Sequence, residues 1–216
     1  MAGPHLIYVA DPMCSWCWGF SPVIDDISQR FGDDLPIRLV LGGLRPGTTE
    51  PLNEKGKETI REHWIHVHEA SGQPFDMRFF DREGFVYDTE PACRAVVIAR
   101  REGIGPALAF LKRVHHAFYA ENRDVTDGAV LADLAGEAGL GLSGDAFLQA
   151  LAAEETRQET WTDFAIAQRA GITGFPTLLA GRGEGAEYAI VTQGFQPGER
   201  IVPLLERWLE AIAAGR

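Results

Sequence analysis

Two cysteines, Cys14 and Cys17, enclose Ser15 and Trp16 within Tyr8–Phe20, YVADPMCSWCWGF. The pair follows a short apolar run and precedes a helical pattern, which places the first cysteine at the start of a helix. Unpaired N–H groups in the first turn of a helix stabilise a thiolate, and a thiolate is the attacking species in disulfide exchange. The second cysteine follows one turn later on the same face, within reach of the first. This spacing predicts a redox pair in which Cys14 attacks and Cys17 resolves a mixed disulfide.

A zinc half-site and a pair of inert core thiols are the alternatives to redox chemistry. Tetrahedral zinc requires two further ligands, and Cys93 is the only other cysteine in the sequence. Three histidines between residues 63 and 68, and the pair His115 and His116, follow no known ligand spacing, so we interpret them as solvated helix faces. No metal site is predicted.

Charge and hydropathy narrow the classes of partner. The chain has 216 residues, of which 45% are hydrophobic, and 20 basic against 31 acidic residues give a formal charge of −11. Without a basic run, this charge argues against nucleic acid and anionic membranes as partners. No apolar stretch approaches the ~20 residues of a membrane span, and the first residues lack the features of a signal peptide. We therefore expect a cytoplasmic protein, in which an isolated Cys-x-x-Cys is more often catalytic than structural.

The opening of the chain has the pattern of a β-α-β unit. Leu6–Ala10 is apolar and predicts a buried strand, a helix follows over roughly 14–31, and Leu35–Leu41 predicts a second strand. Such a unit favours a parallel sheet. After the loop 42–50, nearly every segment from about 54 to 171 has a helical period.

The strand period returns after Gly171. Phe175–Leu179 and Tyr188–Thr192 predict two strands joined by a hairpin-like turn over 181–187, and an amphipathic helix follows over 201–212. These elements complete a small sheet only when they are added to the opening unit. We therefore expect an α/β protein with one sheet domain from residues 1–45 and 172–216, and an inserted helical domain from 46–171.

Pro176 lies at the start of a strand that is predicted to be central, where a trans proline fits poorly. A cis Phe175–Pro176 bond would explain it, and the alternative is a trans proline at the first residue of an edge strand. The upstream Cys-x-x-Cys and the order of the elements favour the cis bond.

Three segments carry a family resemblance that extends over essentially the whole chain: DPMCSWCWGF, EPACRAVVIAR and GITGFPTLL. The sequence resembles the thioredoxin superfamily, specifically DsbA-type thiol-disulfide oxidoreductases and their leaderless, FrnE-like branch of predicted protein-disulfide isomerases. The resemblance implies a thioredoxin fold with a large all-helical domain inserted after the second strand.

The resemblance also implies roles for individual residues. Cys14 matches the attacking cysteine of the family, Cys17 the buried resolving cysteine, and Pro176 the cis-proline that faces them. Phe175 occupies the position whose backbone pairs with an extended substrate segment.

Between the cysteines the sequence departs from the family pattern. DsbA-type oxidants usually have Cys-Pro-x-Cys with a polar residue or histidine at x, whereas this chain has Ser15 and Trp16. Ser15 keeps an N–H that proline lacks, and Trp16 adds no positive charge. We expect both to line the substrate site with Phe175 and Pro176, and the net direction of exchange stays open among oxidation, reduction and isomerisation.

The expected function is thiol-disulfide exchange by a protein-disulfide oxidoreductase or isomerase, as a monomer or a homodimer. Its partners would be thiol- or disulfide-containing proteins or glutathione, and no bound cofactor is expected. A glutathione-dependent isomerase or kappa-type transferase acting on a small molecule is the alternative, although such relatives generally have serine at the attacking position and lack the second cysteine. A non-enzymatic module that binds partners in the same groove is a third hypothesis.

Three nearby residues each have two possible roles. Asp11 could accept a proton near Cys17, but Asp-Pro before a helix is typical of turn chemistry. Cys93, in an Ala/Val-rich helix, is typical of a small buried hydrophobe. Trp18 fits the core as well as it fits a substrate-gripping collar.

Overall fold

The chain forms a four-stranded sheet flanked by helices, seen in a computed structural model that describes residues 3–183, 185 and 187–215. The strands are β1 (His5–Ala10), β2 (Ile37–Leu41), β3 (Thr177–Gly181) and β4 (Tyr188–Gln193). The helices are α1 (Ser15–Phe31), α2 (Glu54–Ser71), α3 (Glu90–Arg100), α4 (Ile104–Tyr119), α5 (Gly128–Glu137), α6 (Gly144–Ala152), α7 (Glu154–Arg169) and α8 (Gly198–Ala213). Short 3₁₀ turns follow α1 and α2, at Gly32–Asp34 and Met77–Asp81.

The strand order is β2-β1-β3-β4, so β1 and β3 are the interior strands. The first two strands are parallel, with Leu6 opposite Ile37, and this confirms the predicted β-α-β opening. β3 is antiparallel to both of its neighbours, with a register irregularity between Leu178 and Leu179 where it meets β4. β3 begins at Thr177, two residues later than the sequence predicts.

Successive side chains of β1 point to opposite faces of the sheet, and a different helix covers each face. Leu6 and Tyr8 point to the α1 side and join the large core, in which both are fully buried. Val9 points to the other face and packs with Val40 of β2 and Ala167 of α7 in a smaller cluster. The sheet is therefore a layer between α1 and α7.

An aromatic cluster holds the helices of the middle segment together. Trp64 of α2 is its centre, with ring centroids 4.9 to 5.1 Å from those of Phe75, Phe79, Phe80 and Tyr119. All four pairs are tilted or edge-to-face rather than stacked face to face. The cluster packs α2 against α4 and the segment between α2 and α3, and Trp64 also lines the cleft described below.

α7 is tied to the sheet by polar contacts as well as by packing. Asp163 of α7 accepts a hydrogen bond from the N–H of Leu41 at 2.9 Å and pairs with Arg100 of α3 at 2.5 Å. The division into 1–45 with 172–216 and 46–171 stays a prediction. The contacts of α7 favour a boundary closer to residue 153, because this helix covers a face of the sheet.

Two further predictions concern particular segments. The hairpin turn over 181–187 includes Glu184 and Ala186, which lie outside the described residues. Among the residues that are described, no helix combines the length and the apolar character needed to cross a membrane.

Candidate functional site

Cys14 and Cys17 lie at the N-terminal end of α1. Cys14 is the N-cap residue, with an extended backbone, and its carbonyl accepts the first helical hydrogen bond from Trp18 at 3.1 Å. It is 5% exposed, whereas Cys17, one turn further on, is completely buried. Both are free thiols. The attacking position is therefore the more accessible one, which is the arrangement that exchange with an external partner requires.

The Phe175–Pro176 segment lies directly across from Cys14. Its peptide bond is cis, as the sequence predicts. The Cys14 thiol donates a hydrogen bond to the carbonyl of Phe175 at 3.6 Å, across 161 positions of the chain. The Pro176 carbonyl accepts from the N–H of Gly194 at 2.7 Å, which ties the turn to the end of β4.

Gly42 makes room for the side chain of Phe175. A Cβ atom added at Gly42 would lie 2.0 Å from the ring of Phe175, far inside any contact distance. The residue after β2 is therefore restricted to glycine as long as Phe175 keeps its place beside Cys14.

A cleft of about 260 Å³ opens beside Cys14. It is lined by Met13, Cys14, Ser15, Trp16, Leu44, Arg45, Ile60, His63, Trp64, Tyr87, Gly174 and Phe175. Three of the predicted substrate-binding residues, Ser15, Trp16 and Phe175, are in this lining, and Pro176 is not. A second cleft of about 440 Å³ lies beyond the ring of Phe175, and no cysteine lines it.

The first cleft is lined by one cationic side chain, Arg45, together with the imidazole of His63, and no carboxylate lines it. The Arg45 guanidinium lies 5.2 Å from the ring centroid of Tyr87, and its backbone N–H donates to the Thr89 hydroxyl at 3.1 Å. A cation above an aromatic ring is held at a defined place in spite of its exposure. In a chain with net charge −11, this cleft favours an anionic group close to the thiol.

Asp11 links the residues just before Cys14 to the loop that follows β2. Its carboxylate accepts from the N–H of Met13 at 2.8 Å, from the N–H of Leu44 at 2.6 Å and from the Cys93 thiol at 3.4 Å. The first bond confirms the predicted turn chemistry. Burial raises the pKa of Asp11, and the backbone hydrogen bonds partly offset this effect. A role in proton transfer to or from Cys17 stays a prediction, and Cys93 is buried as expected but has a polar partner.

His115 corrects one prediction, since it is 1% exposed and faces inward from α4 rather than forming a solvated face. One ring nitrogen lies 3.2 Å from the Asp11 carbonyl and the other 3.2 Å from the Ser21 hydroxyl, which also donates to the carbonyl of Cys17 at 3.2 Å. Burial lowers the pKa of His115 to about 4. The histidine is therefore a neutral link between α4 and Asp11, which precedes the cysteine pair, and through Ser21 it is also linked to the carbonyl of Cys17.

The buried thiol of Cys17 has an unusual neighbour. Burial, followed by the adjacent Cys14 thiol, raises the pKa of Cys17 well above its usual value. Tyr8 of β1 lies close by, and burial and the charge of Cys17 raise the pKa of its phenol. Sequence reasoning places Tyr8 in the strand core, and the hydroxyl in an otherwise apolar run is the only signal that distinguishes it.

Metal ligation has no candidate in the described ranges, where no three His, Cys, Asp or Glu side chains are grouped to hold an ion. His63, His66 and His68 are exposed along α2, as predicted for a solvated face.

Two solved structures resemble this chain closely. A protein of Nitrosomonas europaea, described as a candidate protein disulfide isomerase, is 38% identical with a TM-score of 0.87, and the match covers 96% of this chain and 98% of that one. The cytosolic disulfide reductase DsbM of Pseudomonas aeruginosa is 27% identical with a TM-score of 0.72, and the match covers 98% of both chains. DsbM has also been solved with GSH.

Among curated proteins, the ClpXP adapter protein SpxH of Shouchella clausii is 24% identical over 92% of this chain. The chain spans 65% of the length of that relative. The profile of the DSBA-like thioredoxin domain matches residues 5–197, a range that includes all four strands and the cysteine pair. This chain belongs to the DSBA-like thioredoxin domain family.

Proposed function

We propose that the protein is a thiol-disulfide oxidoreductase in which Cys14 exchanges disulfides with a substrate bound in the 260 Å³ cleft and Cys17 completes the exchange. The contact between the Cys14 thiol and the Phe175 carbonyl carries this proposal. It places the more accessible sulfur against a backbone carbonyl that an extended substrate can approach as an additional strand. Phe175 and Pro176 would position the substrate, with Ser15 and Trp16 at the sides.

In the reductive direction, the Cys14 thiolate attacks one sulfur of a substrate disulfide, and the other substrate sulfur leaves as a thiolate. Cys17 then loses its proton and attacks Cys14, which releases the second substrate sulfur and leaves a Cys14–Cys17 disulfide. Two electrons have passed to the substrate. The same steps in reverse oxidise a dithiol, so the site itself permits both directions.

Small acidic thiols are the substrates that the cleft favours. Arg45 lines it without a competing carboxylate, and a carboxylate of a glutathione-like thiol would complement the guanidinium. The similarity to DsbM, a cytosolic reductase solved with GSH, supports glutathione as redox partner and a cytosolic location. Protein thiols remain the alternative substrate, because Ser15 and Trp16 in the lining of the cleft are partly exposed.

A glutathione-dependent isomerase or kappa-type transferase is less well supported. Such an enzyme needs one group to activate glutathione, whereas this site has two thiols on consecutive turns of one helix. A partner-binding module without chemistry would not require Cys14 at all.

The test is the redox equilibrium of the three cysteines in glutathione buffers, followed by alkylation and mass spectrometry. We expect one two-electron transition that blocks Cys14 and Cys17 together, no exchange by Cys14→Ala, and trapped mixed disulfides with Cys17→Ala. Cys93→Ala is the matched control, because it removes the third buried thiol and should preserve the transition. If Cys14→Ala retains exchange, or the two cysteines pair at no potential, the oxidoreductase assignment is wrong.

A further inference from the structure

The hydroxyl of Tyr8 is a buried polar group without a satisfactory partner. Tyr8 is completely buried, and its oxygen is one of only two buried side-chain oxygens or nitrogens in the described part of the chain that lack a hydrogen bond. A buried hydroxyl without a hydrogen bond lowers the free energy of unfolding, and phenylalanine would fill the same space without this loss of stability. Folding therefore gives no reason for a tyrosine at this position.

Its place in the fold directs this hydroxyl toward Cys17. Tyr8 lies on the face of β1 that packs against α1, with its ring 5.9 Å from that of Phe20. Phe20 and Cys17 are three positions apart on the buried face of α1. After burial, the neighbouring Cys17 contributes most to raising the pKa of the Tyr8 phenol, and the charges of Cys14 and Asp25 raise it further.

A thiol and a thiolate differ greatly as acceptors. A neutral thiol accepts a hydrogen bond weakly, whereas a thiolate accepts a charge-assisted bond of roughly twice the ordinary strength. Cys17 carries negative charge only during exchange, when it attacks Cys14 or leaves it. The Tyr8 hydroxyl, which has no good acceptor in the resting dithiol, would then have a strong one.

We propose that Tyr8 is a catalytic residue of the resolution step, in which its O–H donates to the sulfur of Cys17 as that sulfur becomes a thiolate. This role rests on the proposed function. Cys17 gives its proton through solvent to the departing substrate thiolate, its electron pair forms the bond to Cys14, and the bond between Cys14 and the substrate breaks. The phenol keeps its own proton throughout. In the reverse direction it stabilises Cys17 as the leaving group.

The test is a single-turnover reaction of the reduced protein with Ellman's reagent, with Cys93→Ala as background. Attack by Cys14 releases one equivalent of coloured thiolate, and resolution by Cys17 releases a second. We expect Tyr8→Phe to preserve the first phase and slow the second by about tenfold or more, the effect of losing a hydrogen bond to a charged group. Its urea midpoint should stay equal or rise, because an unsatisfied hydroxyl has been removed.

The matched control is Tyr119→Phe, which removes another fully buried phenol hydroxyl that lies in the aromatic cluster. It should change neither phase selectively. An unchanged second phase in Tyr8→Phe would refute the role of Tyr8. So would equal slowing of both phases with a lower urea midpoint, since that pattern indicates a structural hydroxyl. If the background protein itself releases no second equivalent, the proposed function fails instead.

Discussion

Replacement of His115 by glutamine should change how the stability of the protein depends on pH. His115 is buried between the Asp11 carbonyl and the Ser21 hydroxyl, each 3.2 Å from a ring nitrogen. No carboxylate contacts the ring, and the hydrogen bond to the Asp11 carbonyl offsets only part of the cost of a buried positive charge. Burial accordingly lowers its pKa from 6.5 to about 4. Glutamine keeps a polar side chain of similar reach and does not titrate.

The direction and size of the effect follow from linkage. Above pH 6.5 the histidine is neutral in both the folded and the unfolded chain, and it contributes no pH dependence. As the pH falls toward 4, His115 binds a proton in the unfolded chain but stays largely neutral in the folded chain. The folded state is therefore progressively destabilised. The loss of unfolding free energy at this residue is about 2 kcal/mol at pH 5 and about 3 kcal/mol at pH 4.

Urea unfolding at pH 7, 6 and 5 in one ionic strength measures this loss. Asp11, whose pKa is raised, changes stability in the opposite direction over part of the acid range, but it does so in both proteins. The difference between wild type and His115→Gln therefore isolates the histidine. We expect His115→Gln to be the less stable protein at pH 7 and to recover about 2 kcal/mol relative to wild type by pH 5. His116→Gln, on the partly exposed side of the same helix, is the control. A difference independent of pH would show that burial does not shift the titration of His115, and a wild type that gains stability relative to His115→Gln as the pH falls would show that His115 is protonated in the folded protein. Either result contradicts the structure.

Three further changes test other parts of the site. Gly42→Ala should displace the ring of Phe175 and slow exchange by about tenfold or more, and Ellman kinetics at the wild-type rate would contradict the close contact. Arg45→Gln should lower kcat/KM for glutathione disulfide by about tenfold while leaving a neutral disulfide unaffected; equal losses for both substrates would refute a carboxylate subsite. Asp163→Asn should lower the free energy of unfolding by about 2 kcal/mol, because Arg100 loses its buried carboxylate partner and keeps only the more exposed Glu159. Glu159→Gln removes the exposed partner of the same arginine and should cost less than about 1 kcal/mol by the same urea assay.

Those parts of the fold that have a local signature could be predicted from the sequence. The apolar run before Cys14 and the helical period after it depend on neighbouring residues only, and both elements form within a few residues of the predicted bounds. The same holds for Pro176, because a proline beside an interior strand restricts the backbone around it.

The position of α7 could not be obtained in this way. Its helical period continues that of the preceding segments, so the sequence groups it with them. The side chains that assign it to the sheet, Asp163 and Ala167, have that effect only because β2 lies opposite. Tertiary contacts decide where a domain ends, and the spacing of apolar residues within one helix carries no information about such contacts.

The buried polar groups illustrate the same limit at the scale of single residues. His115 and His116 are adjacent and chemically identical, yet the rotation of about 100° between successive helix positions puts one into the core and the other at the surface. Tyr8 and Arg45 likewise acquire their neighbours from chain segments that sequence spacing does not connect to them. The cysteine pair defines which chemistry the protein can do through residues three positions apart. These distant neighbours determine how fast the buried sulfur of Cys17 reacts and which thiols reach the more accessible sulfur of Cys14. Reaction rates and substrate preference, measured in variants of Tyr8 and Arg45, are therefore the decisive tests.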